Sequence, residues 1–194
     1  MPTAATASVR LQVPYTVQAP FANWNVHEES CEEAALLMVV AYMKGDRRAV
    51  IDPGEADREM LAMKRWQVVH WGAERDLTVA KVGELGFQYY AETYQVLPAT
   101  VDSIKHQLAI GRPVMLPVMT HGLGNPHYGA KSVYHILVLV GYDAAGAIAN
   151  DAGIKEGRGY RYSWAQVFNA VDQVATQDAA LNQGRVMVVL TPAA

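Results

Sequence analysis

The stretch NVHEESCEEAALLMVVAYM, residues 25–43, predicts a buried helix that begins in a polar setting. Ser30 is a suitable N-cap, and Glu33 stands three residues later, so the two would form a capping box. The only cysteine of the chain, Cys31, would then occupy the first helical position, and Gly45 would end the helix. The apolar positions follow the period of one helix face: Ala34, Leu37, Met38, Ala41 and Tyr42.

The cysteine at this position is a candidate nucleophile. The thiolate is the nucleophilic form, and the dipole and free N–H groups at the start of a helix stabilise it. Four nearby glutamates would raise the thiol pKa unless they point into solvent: Glu28, Glu29, Glu32 and Glu33. A catalytic role therefore requires a histidine partner. The alternative is that Cys31 is a small apolar core residue, as a single cysteine usually is.

His135 is the candidate partner because it interrupts an apolar strand, SVYHILVLVGYD, where the alternation calls for Val or Ile. Such a histidine is either a hydrogen-bonded structural residue or a catalytic base. The next strand, GAIAN, ends in Asn150 and is followed by Asp151. Either side chain could hold the second imidazole nitrogen, as an orienting residue must.

The loop between these two strands decides which side chain faces the histidine. A three-residue loop, 143–145, would place His135 opposite Gly153 and bring Asp151 onto the same face. We take this register as the prediction, and we expect Asp143 to form the turn.

A two-residue loop, 144–145, would instead pair His135 with Ile154. Because side chains alternate along a strand, this register brings Asn150 onto the histidine's face. The sequence leaves both loops open, so Asn150 remains the alternative to Asp151.

Helices dominate the first half of the chain and strands the second. Further helices are predicted from Asp52 to about Trp71, from Thr78 to Leu85 before Gly86, from Thr100 to Ile110 before Gly111, and over 164–171 with Ser163 as the cap. Strands are predicted over 113–119, 134–143, 146–150 and 184–192. Since the hairpin 134–150 is too tight to be parallel, the layout is α+β with an antiparallel sheet.

Composition limits the classes of function. The 194 residues are 51% hydrophobic and 18% charged, which suits one domain with a sizeable core. A net charge of −3 gives no electrostatic basis for binding nucleic acid or an anionic membrane. No stretch reaches the roughly 18 apolar residues of a membrane span. Residues 1–12 are expected to be a flexible leader without a signal-peptide core, and 13–194 a single domain; cytoplasmic and secreted locations both remain open.

Four motifs, in this order, resemble the C39-like peptidase family of bacterial cysteine peptidases. They are VPYTVQAPFANW…ESCEEAALLMV, GRPVMLPV, YHILVLVGYD and ANDAGIKEGRGYRYS, and they extend from about Val13 to Phe168. The resemblance implies a papain-like α+β fold, in which N-terminal helices pack against an antiparallel sheet. It also implies a peptide or peptide-like substrate and no cofactor.

The resemblance also implies roles for individual residues. Cys31 would be the nucleophile, His135 the general base and later the acid, and Asp151 the carboxylate that orients the imidazole. Gln18, in YTVQAPF, would donate its side-chain amide to an oxyanion hole, together with the backbone N–H of Cys31. Each such donor typically contributes about 3 kcal/mol of transition-state stabilisation. Without the resemblance, Gln18 would be interpreted as a surface polar residue.

Four more residues are candidates for lining a cleft: Trp24, His27, His121 and His127. Two of the histidines lie in HGLGNPH, which is typical of a loop beside a site. They lack a nearby cysteine or acidic cluster, so no metal site is predicted.

Three functions remain open. The leading one is a thiol hydrolase that cleaves a peptide or related amide through an acyl-thioester on Cys31. The second is a binding protein that keeps the fold without turnover, which the acidic surroundings of Cys31 favour. The third is an acyltransferase that passes the same acyl group to an amine. The sequence specifies neither an acceptor site nor an oligomeric state.

Overall fold

The computed structural model describes residues 8–191, which form a seven-stranded antiparallel sheet with helices on both faces. The helices are α1 (Trp24–His27), α2 (Cys31–Met43), α3 (Pro53–Trp71), α4 (Val79–Tyr90), α5 (Val101–Ala109) and α6 (Trp164–Gln177). The strands are β1 (Val9–Arg10), β2 (Thr93–Pro98), β3 (Val114–Met119), β4 (Tyr134–Asp143), β5 (Gly146–Asn150), β6 (Arg158–Tyr162) and β7 (Val186–Thr191). Two 3₁₀ turns, Thr120–Leu123 and Pro126–Tyr128, lie between β3 and β4. The strand order is β2-β7-β3-β4-β5-β6, and β1 pairs with β4.

The sheet separates two apolar cores. Because side chains alternate along β4, Ile136 and Val138 point to one face, while Leu137 and Leu139 point to the other. The first core also contains the buried apolar residues of α2, α3 and α4, together with Val174 of α6. The second core contains those of α5 and the other buried apolar residues of α6. The helices of the first half thus cover one face of a sheet formed largely by the second half.

Helix α2 is buried on all sides over Cys31–Val40, and not only along the predicted stripe. It contacts α3, α4, β4 and β7, so no side of its first three turns remains for solvent. The predicted capping box is wrong, since the Ser30 side chain makes no capping hydrogen bond. Its hydroxyl lies 3.0 Å from Nδ1 of His27 instead, and the Glu33 carboxylate turns to Gln67.

Two other helices extend further than the sequence suggested. Helix α4 passes through Gly86 and ends at Tyr90, and its C-cap Ala91 has a positive φ of 59°. Inside the helix, Gly86 serves packing and does not end the helix. A Cβ there would be 3.1 Å from Leu36 and 3.3 Å from Leu190, so the glycine lets these side chains pack closely against α4. Helix α6 continues beyond the predicted end at residue 171 to Gln177, and Ser163 caps it as expected.

The hairpin of β4 and β5 has the shorter of the two loops considered from the sequence, but on the far side of a bulge it follows the register that was expected for the longer loop. Asp143 pairs with Gly146, so the loop has two residues, and the Asp143 carboxylate accepts a hydrogen bond from the N–H of Ala145, as a turn former should. A bulge between Leu139 and Gly141 then shifts the register by one residue. Beyond the bulge, Val138 pairs with Asn150. This is the register that the longer loop would have produced.

Strands β2 and β6 were not predicted, because they form the two edges of the sheet. Their sequences, TYQVLP and RGYRY, are polar and half-exposed and lack the apolar run of the central strands. Strand β1 was also missed: Val9–Arg10 fall inside the predicted leader but pair with β4 at Tyr142 and Gly141. Residues 1–7 of that leader lie outside the described part of the chain. Within residues 8–191, no helix has the length and apolarity needed to cross a bilayer.

Candidate active site

A cavity of about 720 Å³ opens where α2 begins and β4 begins. Its walls include Gln18, Cys31 and His135, which come from three separate parts of the sequence. Helix α2 supplies the cysteine at its first residue, and β4 supplies the histidine at its second. The fold therefore brings the predicted nucleophile and the predicted base to one cavity.

The sulfur of Cys31 is buried, with 3% of the residue exposed. The backbone N–H of Ile136, the residue after His135, faces it. The thiol also donates to Oε2 of Glu32, over 3.0 Å. Burial raises the thiol pKa well above its usual value, and the charge and hydrogen bond of Glu32 raise it further, while the Ile136 amide acts in the opposite direction. Burial and the contact with Glu32 therefore both favour the neutral thiol.

The imidazole of His135 is held by a buried carboxylate. Nε2 of His135 lies 3.0 Å from Oδ1 of Asp151, which is fully buried. With Nε2 as the donor to that carboxylate, Nδ1 is the nitrogen that can accept a proton.

Besides His135, the Asp151 carboxylate accepts hydrogen bonds from three groups that the sequence did not predict. Oδ1 also accepts from the Tyr128 hydroxyl at 2.6 Å and the Gly153 N–H at 3.1 Å, and Oδ2 accepts from the Tyr162 hydroxyl at 2.6 Å. Burial alone would raise the pKa of Asp151, but the hydrogen bonds and charge of His135 and the two tyrosine hydroxyls lower it below its usual value. The carboxylate therefore stays ionised behind the imidazole.

Asn150, the alternative orienting residue, has other partners. Its amide nitrogen donates to the carbonyl of Val13 over 3.1 Å, and its side-chain oxygen accepts from the N–H of Gly159. The two tyrosines at Asp151 escaped sequence reasoning because one lies in a 3₁₀ turn and the other on an edge strand. Neither element was predicted.

Gln18 lies at the cavity, but its side chain is occupied. Its Nε2 donates to the carbonyls of His27 and Glu28, both over 3.0 Å, so both N–H groups of the amide have acceptors. Its backbone N–H donates to the carbonyl of Ala152. These bonds hold the loop that precedes α2 against the segment that carries Asp151.

The four glutamates around the cysteine divide into two pairs. Glu28 and Glu29 are exposed, whereas Glu32 and Glu33 are buried. Besides its contact with the sulfur, Glu32 accepts at Oε1 from the N–H of Leu77 over 2.7 Å. Burial raises the pKa of Glu32 well above its usual value, and the nearby Glu33 adds to this effect.

Glu33 contacts Gln67 of α3, whose amide nitrogen donates to Oε1 of the carboxyl group. Burial raises the pKa of Glu33 to about 7, although the Gln67 amide and the charge of Lys64 act in the opposite direction. Within residues 8–191, two buried side-chain oxygens lack a partner: Oε2 of Glu33 and Oε1 of Gln67.

Of the four other residues predicted to line a cleft, two line the cavity and two do not. Trp24 and His127 line the cavity, and Nδ1 of His127 lies 3.4 Å from Oε2 of Glu156. The structure does not bring His27 or His121 to the cavity: His27 is fully buried between Ser30 and Asp57, and His121 lies in the exposed part of a 3₁₀ turn. Among the described residues, no group of three His, Cys, Asp or Glu side chains could hold a metal ion.

The geometry places a thiol at a helix N-terminus and an imidazole in one cavity, with a carboxylate bound to Nε2 of that imidazole. Such an arrangement can move a proton from sulfur to the ring and stabilise the resulting imidazolium. The resulting thiolate would be stabilised by the Ile136 N–H and by the free N–H groups of the first turn of α2.

Comparison with known proteins gives two findings. The model of the Peptidase_C39 like family matches residues 10–178. A candidate C39-like peptidase from Bacillus anthracis has a crystal structure that superposes with a TM-score of 0.64 at 14% sequence identity, covering 97% of this chain and all of that one. At this identity the likeness shows the fold, and it confirms the predicted fold class. No curated protein matches the sequence.

Proposed function

Because the chain belongs to the Peptidase_C39 like family, we propose that it is a cysteine peptidase that forms an acyl-thioester on Cys31. The substrate is a peptide or peptide-like amide bound in the cavity beside α2. His135 takes the thiol proton and later gives it to the leaving amine. Asp151 holds the imidazole and stabilises its charged form.

One observation carries this proposal: Cys31 and His135 line one cavity, and the Asp151 carboxylate binds Nε2 of the ring, which leaves Nδ1 to accept a proton. The backbone N–H of Ile136, next to the histidine in β4, faces the sulfur. The Asp151 carboxylate also accepts from three further donors, which fix it against the imidazole.

The oxyanion of the tetrahedral intermediate would form near the start of α2. The backbone N–H of Cys31 is one donor, and Gln18 is the second. For Gln18 to act, one of its two N–H groups must leave the carbonyl oxygen of His27 or Glu28. We therefore expect substrate binding to shift the loop before α2.

The direct test is a peptide-library cleavage screen, with products identified by mass spectrometry. Wild type should cleave a subset of peptides, Cys31→Ala should cleave none, and His135→Ala should lose at least about a hundredfold in rate, the usual contribution of a general base. His121→Ala is the matched control, because this histidine lies away from the cavity, and it should behave as wild type. Cleavage that survives in Cys31→Ala would refute the proposal.

A second function has specific support: a peptide-binding protein without turnover. The contact between the thiol and Glu32 favours a neutral sulfur, and both Gln18 N–H groups are engaged. In that case peptides would bind wild type and Cys31→Ala with equal affinity, and no peptide in the library would be cleaved.

A further inference from the structure

Glu32 makes a polar contact with the candidate nucleophile that the mechanism above does not use. Its Oε2 lies 3.0 Å from the sulfur of Cys31, and its Oε1 is held by the N–H of Leu77 over 2.7 Å. Only 1% of the residue is exposed. The carboxyl group is thus fixed on both sides, with one oxygen directed at the thiol.

Two negative charges cannot readily coexist in this position. A thiolate and a carboxylate 3.0 Å apart repel strongly where burial removes the screening by water. Cys31 and Glu32 together therefore hold at least one proton over the ordinary pH range, and that proton can lie on the sulfur or on the carboxyl group. In one state the thiol donates to the carboxylate, and in the other the carboxylic acid donates to the thiolate.

We propose that Glu32 controls the protonation of Cys31: its ionised form holds the sulfur as a thiol, and its neutral form allows the thiolate. When Glu32 is neutral, the S–H bond breaks, the proton passes to the imidazole of His135, and the Oε2–H of Glu32 donates to the sulfur. When Glu32 loses its proton to solvent, the thiol becomes the hydrogen-bond donor and His135 stays neutral. Glu32 is a positioning residue, and its role rests on Cys31 being the nucleophile of the proposed function.

Other ionisable groups face the same carboxyl group. They are Glu33 on α2, Asp76 before α4, and Tyr134 on β4. The two acidic neighbours favour the neutral form of Glu32, as its burial does. The Tyr134 hydroxyl donates to the carbonyl of Leu77 over 2.9 Å and does not donate to Glu32 or to the sulfur. Glu32 is the acidic group that contacts the sulfur.

The test is the rate at which iodoacetamide alkylates Cys31, measured by mass spectrometry from pH 5 to 10. Glu32→Gln keeps the acceptor for Leu77 and an N–H for the sulfur but cannot become charged. Its alkylation curve should shift to lower pH by at least about one unit, which is about tenfold in rate at pH 7. Glu84→Gln makes the same chemical change on α4, where the carboxylate pairs with Lys81 and does not line the cavity, and its curve should match wild type.

An unchanged curve for Glu32→Gln, or a shift to higher pH, would overturn the proposal. A second measurement needs no variant: carbon NMR of wild type with labelled glutamate side chains, before and after alkylation of Cys31. Alkylation removes the thiol proton, so the titration midpoint of one buried glutamate should move, and the absence of any such change would also overturn the proposal. Both readouts are independent of peptide cleavage, so a failed cleavage screen and a failed Glu32 test are distinguishable.

Discussion

Glu33 and Gln67 each bury an oxygen that has no hydrogen-bond partner, and the two residues contact each other. A protonated Glu33 explains both oxygens, because its O–H can donate to the side-chain oxygen of Gln67 while the amide donates back. An acid and an amide then form a closed pair in which every polar atom is satisfied. The raised pKa of Glu33, about 7, agrees with this arrangement.

This pairing predicts that stability falls as pH rises. The ordinary pKa of the carboxyl group is 4.5, and the folded value is about 7, so the folded state holds the proton more tightly. The contribution is fully present below about 4.5 and is lost as pH rises through about 7; the gap corresponds to about 3 kcal/mol. Urea unfolding from pH 4 to 9 should show this decline in wild type, and Glu33→Gln, which keeps the closed pair, should reduce it.

The control is Glu84→Gln on α4, a residue that pairs with Lys81 near the surface. It should leave the pH dependence of unfolding as in wild type. If Glu33→Gln also left that dependence unchanged, the neutral acid–amide pair would be the wrong description of this contact.

At the scale of elements, the connection from β5 to β6 places the orienting carboxylate. The N–H of Asp151 donates to the carbonyl of Gly157 over 2.9 Å, which closes the turn between the two strands. The bulge in β4 completes the placement, because it gives the register in which Asp151 reaches His135. Neither the turn nor the bulge has a strong local sequence pattern.

Gly157→Ala should disturb this turn. A Cβ at residue 157 would lie 1.8 Å from the backbone oxygen of Asp151, so the backbone must move. We expect a loss of about 1–3 kcal/mol, typical of overpacking, measured as a lower urea midpoint. Gly54→Ala is the matched control, since its Cβ would stay 3.3 Å from two side chains, the capping carboxylate of Asp52 and the end of Arg58. Equal midpoints for the two variants would show that the turn adapts at no cost.

At the scale of the whole molecule, α2 lies under the site as the centre of the first core. Leu36 is fully buried and packs close to Gly86 of α4, so it connects two helices of that core. The same helix begins with Cys31 at the cavity. Packing of the core therefore sets the position of the nucleophile.

Leu36→Ala should lower the free energy of unfolding by about 2–5 kcal/mol, because a cavity replaces close-packed atoms. The urea midpoint should fall while the slope of the transition stays constant. Val69→Ala on α3 is the control, since Val69 is 77% exposed, and it should stay within about 0.5 kcal/mol of wild type. A small effect at Leu36 would mean that α2 is not the centre of this core.

The sequence by itself determined the fold class, the central hairpin and the placement of Cys31 at the start of a helix. These features follow from local patterns: apolar, largely β-branched runs predicted β4 and β5 with their observed bounds, and Asp52 and Ser163 cap their helices as expected. The candidate partners of Cys31 were also identified in sequence, from the histidine that interrupts an apolar strand and the polar residues that end the next strand, and the family resemblance implied their roles.

Only the tertiary structure decided which groups meet and in what state of charge. Ser30 and Glu33 fit a capping box locally, but α2 is buried on all sides, so contacts with His27 and Gln67 replaced it. The sequence left open whether Glu32 points into solvent, and in the structure its carboxyl group contacts the sulfur. Burial and long-range contacts set these outcomes, because pKa values and hydrogen-bond partners depend on the elements packed around a side chain and not on its neighbours in sequence.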